Sequence, residues 1–104
     1  QVVRAVQDFI ESRYTEKITV EDLADRHAMG RRTLERRFRQ ATGNSIVEYV
    51  QRVRVEAAKK RLESSRKSVA EVMYEVGYND TKAFRDIFNK YCGMSPVGYR
   101  ERYQ

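Results

Sequence analysis

At 104 residues the chain is the size of one domain, or of two very small ones sharing a core. Its 21 Lys and Arg against 15 Asp and Glu leave a formal net charge of +6, which calls for an anionic partner and leaves nucleic acid, an acidic membrane and an acidic protein open. A lone cysteine, Cys92, rules out an intrachain disulfide and reads as a small buried hydrophobe; without a signal-peptide pattern or a bilayer-spanning apolar run, the expectation is a cytoplasmic protein with no membrane contact.

One Pro and five Gly interrupt the sequence, and the apolar residues recur at helical spacing, so the fold class is all-α. Val2, Val3, Val6, Phe9 and Ile10 form the stripe of an amphipathic helix running to about Tyr14. Thr19 with Asp22 resembles a capping box, opening a short helix with Val20, Leu23 and Ala24 inward that ends in a sharp turn near Met29 and Gly30. Leu34, Phe38 and Ala41 share one face of the next helix, Gly43 closes it, and its other face is almost entirely basic. From Ser45 to about Ser64 runs the longest helical pattern, carried by Ile46, Tyr49, Val50, Val53, Ala57, Ala58 and Leu62. A second capping box, Ser68 to Glu71, opens a helix with Val69, Val72, Met73 and Val76 inward, which Gly77 stops. Asp80 is placed to cap a sixth helix with Ala83, Phe84, Ile87, Phe88 and Tyr91 on its apolar face, and Gly93 ends it. Ser95 and Pro96 start a seventh, through Tyr99 to about Tyr103.

The second half repeats the first. Val20, Leu23 and Ala24 match Val69, Val72 and Met73 at an offset of 49, and Leu34, Phe38, Gly43, Ser45 and Tyr49 match Phe84, Phe88, Gly93, Ser95 and Tyr99 at an offset of 50. The turn around Gly77, Tyr78 and Asn79 should therefore be one residue longer than its counterpart in the first half. Each repeat is a short helix, a tight turn and a helix with one free face, the arrangement that places a recognition helix in the DNA major groove. The predicted organisation is one domain over residues 1–104: a first helix-turn-helix subdomain (1–44), a connecting helix (45–64) and a second helix-turn-helix subdomain (65–104). A rigid connector of about 30 Å suits two recognition helices reading successive grooves about 34 Å apart.

Charge separates the two recognition helices. Arg31 to Arg39 holds five arginines against Glu35, a net +4, whereas Asp80 to Lys90 holds Lys82, Arg85 and Lys90 against Asp80 and Asp86, a net +1. The first unit should dominate attraction to phosphate. An arginine fork donates two hydrogen bonds to guanine O6 and N7, so Arg32 and Arg36 are the foremost candidates for base contact. Thr81, Lys82 and Arg85 lie at the start of the second recognition helix and are candidates there, while its amides favour a phosphate. Thr33, Arg37, Arg39 and Lys90 are candidate phosphate contacts, with ordinary solvated or ion-paired surface charge as the other reading. Asp80 reads as a cap; Asp86 either holds Lys82 or Lys90 one turn away or repels phosphate.

His27 lacks a second His or a Cys at ligand spacing, so no metal is expected, and it reads as a polar residue ending a short helix. Phe9, Phe38, Phe84 and Phe88 read as core, and Tyr14, Tyr74 and Tyr91 as buried edges or surface. With no phosphate loop, paired pocket carboxylates or nucleophile with a matching base, neither catalysis nor a cofactor is expected. A helical protein-interaction module docking an acidic partner through the basic face is the alternative reading.

The run Val76, Gly77, Tyr78, Asn79, Asp80, then Phe84, Phe88, Gly93, Ser95, Pro96, Tyr99 and Arg100 resembles the signature of AraC/XylS-type transcription regulators. Leu34, Arg36, Phe38, Gly43 and Ser45 fit the corresponding pattern of the first unit, and Arg54, Ala58 and Leu62 look like the family's connecting helix, so the resemblance spans essentially the whole chain. It implies a sequence-specific DNA-binding domain of a bacterial regulator, with double-stranded DNA as partner, RNA polymerase as a possible second one, and an effector-binding domain N-terminal to Gln1. By family position Arg31 and Glu35 adjoin the base-reading surface; Glu35 either accepts from a cytosine amine or pairs with Arg31 or Arg39. The chain departs from many relatives at Asp86, where they carry a basic residue, and at Ala83.

Overall fold

A computed structural model describes all residues, 1 to 104. Seven helices follow one another: α1 (Val2–Arg13), α2 (Val20–Arg26), α3 (Arg31–Thr42), α4 (Ile46–Ser64), α5 (Val69–Glu75), α6 (Thr81–Cys92) and α7 (Pro96–Tyr103), with no strand. The chain divides into two compact units, Gln1–Gln51 and Arg52–Gln104, and the division falls inside α4.

In the first unit, Val3, Val6 and Ile10 of α1, Val20, Leu23 and Ala24 of α2, Leu34 and Phe38 of α3, and Ile46 are buried. Full burial of each larger aliphatic or aromatic side chain is worth about 1.5–3 kcal/mol. Phe9 is only half-buried, with the guanidinium groups of Arg13 and Arg26 lying over its ring at 5.6 and 4.6 Å. Ala41, expected inward, is exposed: the inward stripe of α3 ends one turn earlier, at Phe38. Thr19 caps α2 by accepting from the Asp22 amide, but the reciprocal half of the expected box is absent. A complete box that the sequence reading passed over opens α4, where Ser45 Oγ accepts from the Glu48 amide and Glu48 accepts from the Ser45 amide.

In the second unit the buried residues are Val55, Ala58 and Leu62 of α4, Val72 and Met73 of α5, Val76, Phe84 and Phe88 of α6, and Pro96 and Tyr99 of α7. Both halves of the Ser68–Glu71 capping box are formed, and Ser95 caps α7 with Pro96 in its first turn. Tyr74 is 63% exposed, so it is surface, while Tyr14 and Tyr91 are half-buried. Cys92 is half-buried too, and burial pushes its thiol above the usual range.

The repeat is deeper than the sequence comparison indicated. At an offset of 52, Val3, Val6 and Ile10 correspond to Val55, Ala58 and Leu62, so the latter part of α4 serves the second unit as α1 serves the first. Ring contacts repeat as well: Phe38 meets Tyr49 edge-on at 5.4 Å, and Phe88 meets Tyr99 edge-on at 5.7 Å. Each tyrosine hydroxyl donates to a carboxylate on the equivalent helix, Tyr49 to Glu11 and Tyr99 to Glu63. The extra residue in the second turn is present, since residues 27–30 separate α2 from α3 and 76–80 separate α5 from α6. Both turns close alike, the Met29 amide donating to Ala24 O and the Tyr78 amide to Met73 O, each at 3.0 Å.

Candidate nucleic-acid interface

The buried stripe fixes which side of α3 is free. At 100° per residue, positions two before and two after Leu34 emerge opposite it, and these are Arg32 and Arg36. Both are exposed, and neither has a carboxylate within ion-pair distance. Arg37, beside them, is likewise exposed and unpaired. Thr33 is half-buried. Arg39 reaches Glu48 at the start of α4 at 4.0 Å, beyond hydrogen-bond distance, so the contact restrains it weakly.

Glu35 pairs with neither Arg31 nor Arg39. Arg31 instead donates through Nη1 to Glu21 of α2, ten residues back and across the turn. The sequence could not show this partner, because only the packing of α2 against α3 brings the two side chains together.

Carrying the same geometry to α6 by the offset of 50, the positions opposite the buried stripe are Lys82 and Asp86. They form an ion pair of 2.8 Å, which chooses Lys82 over Lys90 as the partner of Asp86. Each pulls the other toward its charged form: the hydrogen bond from Lys82 lowers the Asp86 carboxyl, and Asp86 raises the Lys82 ammonium. The outermost face of α6 is therefore neutral where that of α3 carries two free arginines. Thr81 and Arg85 flank it, exposed and without a carboxylate partner, and Lys90 lies above the ring of Tyr91 at 5.2 Å, in the last turn of α6.

Asp80 stands at the N-cap of α6, but its side chain makes no capping hydrogen bond, contrary to expectation. It stays exposed, and its charge acts on Lys82 instead. Gly30, at the N-cap of α3, has no side chain to offer. The helices α3 and α6 are thus the two whose first-turn amides receive no side-chain cap, which leaves both open to an external acceptor. His27 forms the C-cap of α2.

A family model described as a helix-turn-helix domain matches residues 23–102. The Msm operon regulatory protein of Streptococcus mutans is 35% identical over 102 residues, covering 98% of this chain and 37% of the relative. The DNA-binding domain of AdpA, solved in complex with a target DNA, is 37% identical with a TM-score of 0.90, over 97% of this chain and 91% of that one. This chain belongs to the AraC-type helix-turn-helix family. It is a DNA-binding domain of the kind found in that family's transcription regulators. Another relative, the bifunctional transcriptional activator and DNA repair enzyme AdaA of Bacillus subtilis, is 34% identical over 95% of this chain and 47% of its own length. The AraC-type domain described here spans less than half the length of these curated relatives. No helix in it is long and apolar enough to cross a membrane.

Proposed function

We propose that this AraC-type domain reads duplex DNA sequence-specifically, with α3 in one major groove and α6 in the next. The observation that carries the proposal is the pair Arg32 and Arg36, exposed opposite the buried stripe and free of carboxylates. Their planar forks are matched to guanine O6 and N7. Arg31 and Glu35 border that surface, while Thr33, Arg37 and Arg39 meet the backbone. In the second unit Thr81, Lys82 and Arg85 supply base contacts and Lys90 a phosphate contact. The uncapped first turns of α3 and α6 donate amide hydrogen bonds to phosphate oxygens.

In a longer protein of the relatives' kind, the effector binds outside this domain and RNA polymerase is the second partner. The domain itself contributes recognition and no catalysis, and it works in the cytoplasm. The test is a footprint of the 104-residue chain on DNA selected from a random pool. Protection of two adjacent major grooves, with a base preference in each, is the expected result. Protection of a single groove would remove α6 from the reading, and failure to select any sequence would overturn the proposal.

A further inference from the structure

Arg31 stands in an unfavourable place for a cation. It is the first residue of α3, where the helix dipole presents its positive end. Nothing within α3 offsets this, since Glu35 does not pair with it. The compensation comes from Glu21, in the first turn of α2, where the same dipole effect favours a carboxylate and where Thr19 caps the helix.

The pair is not a requirement of the fold. Through the offsets of 49 and 50, Glu21 corresponds to Ala70 and Arg31 to Thr81, so the second unit builds the same seven-residue and twelve-residue helices with neither charge. Nor is the arginine used up by it. A guanidinium has five N–H donors, and Glu21 takes one through Nη1; the side chain of Arg31 remains 63% exposed beside Arg32. What the carboxylate does is restrict the orientation of a long, rotamer-rich side chain before DNA arrives, while its own charge discourages a phosphate from taking its place.

We propose that Glu21 is a positioning residue for Arg31: it aims the guanidinium at the edge of a guanine bordering the site of the first unit, and so sets the base preference there. The inference rests on α3 reading the major groove. It makes Glu21, on the helix that does not enter the groove, a determinant of sequence preference.

The test is selection from a random DNA pool, followed by binding titrations on single-base variants of the selected site, for the wild type, Arg31→Ala, Glu21→Ala, Glu21→Gln and the Glu21→Ala, Arg31→Ala double variant. Arg31→Ala should reduce discrimination at one base pair by about five- to 150-fold. Glu21→Ala should flatten the same base pair and leave the others alone, with affinity for scrambled DNA unchanged or higher because a negative charge is gone. Glu21→Gln, which still accepts a hydrogen bond through its amide oxygen, should recover part of the preference, and the double variant should lose no more than Arg31→Ala.

Three results would overturn the inference while leaving groove reading by α3 intact: full discrimination at the Arg31-dependent base pair in Glu21→Ala, a uniform loss at every position, or an Arg31→Ala variant with no position affected. A wild type that selects no sequence would instead sink groove reading, and the inference with it.

Discussion

The turn into α6 contains a glycine, Gly77, whose replacement would strain the backbone and strike a neighbouring guanidinium. Gly77 has φ +104, and a Cβ there would lie 3.0 Å from Cζ and Nε of Arg54, whose guanidinium also lies over the Tyr78 ring at 4.9 Å. The equivalent residue of the first unit, 49 positions earlier, is Ala28 at φ +52, and the residue equivalent to Arg54 by the offset of 52 is Val2. The first unit's turn thus holds a side chain at a smaller φ, with no guanidinium beneath it. For Gly77→Ala the left-handed backbone costs about 1–2 kcal/mol. Displacing Arg54 from Tyr78 forfeits about 0.5–1 kcal/mol more. The expected total is about 1.5–3 kcal/mol, seen in urea unfolding followed by far-UV circular dichroism as a lower midpoint at constant slope. In an Arg54→Ala background the same substitution should cost only the backbone part, about 1–2 kcal/mol. Gly93→Ala, at φ +79 with nothing within 4 Å of its Cβ, should likewise show only that part. An equal cost for Gly77→Ala with and without Arg54 would refute the role given to the guanidinium.

Other consequences can be measured in the same protein. The buried Tyr78 hydroxyl makes no well-formed hydrogen bond, although the Arg54 guanidinium beside it favours its ionised form against burial, so Tyr78→Phe should change stability by no more than about 1 kcal/mol in urea unfolding, and a larger loss would mean that Arg54 satisfies the hydroxyl. Arg36→Ala should cost about 1–3 kcal/mol on the selected DNA site and much less on scrambled DNA, by fluorescence anisotropy. Asp86→Asn takes one negative charge from the outer face of α6 and frees Lys82 for the groove, so affinity for the selected site should rise; an affinity no higher than that of the wild type would show that this face does not meet DNA. Burial and the hydrogen bond to Glu11 push the Tyr49 hydroxyl up to about 12, and burial with Glu63 raises Tyr99 likewise. The native state thus holds these protons more tightly than the unfolded chain, where tyrosine titrates near 10. Their stability contribution is fully present below about pH 10 and lost as pH rises toward 12, so the urea midpoint should fall across that range, and less steeply in Tyr49→Phe.

The sequence by itself determined the helices, their order and most of their ends, because a 3.6-residue apolar period, Ser and Thr caps and closing glycines act within a few residues of one another. It determined the doubling of the helix-turn-helix and the extra residue of the second turn, since both appear as an offset that changes from 49 to 50. It also located the face of Arg32 and Arg36, which follows from the position of Leu34 on a regular helix.

What only the tertiary structure decided are the contacts between elements far apart in the chain. Glu21 reaches Arg31 because α2 packs on α3, and Arg54 lies under Gly77 because α4 borders the turn before α6. Pairing choices with several local solutions were also decided there: Glu35 had two arginines and Asp86 two lysines within one turn, and the rotamers and competing partners that select among them depend on the packed surroundings. The kinship of α1 with the latter part of α4 escaped the sequence comparison for a related reason. Burial demands only an apolar side chain at each position, so Val6 can stand where Ala58 does, and the equivalence becomes visible only when both are seen buried on the same face.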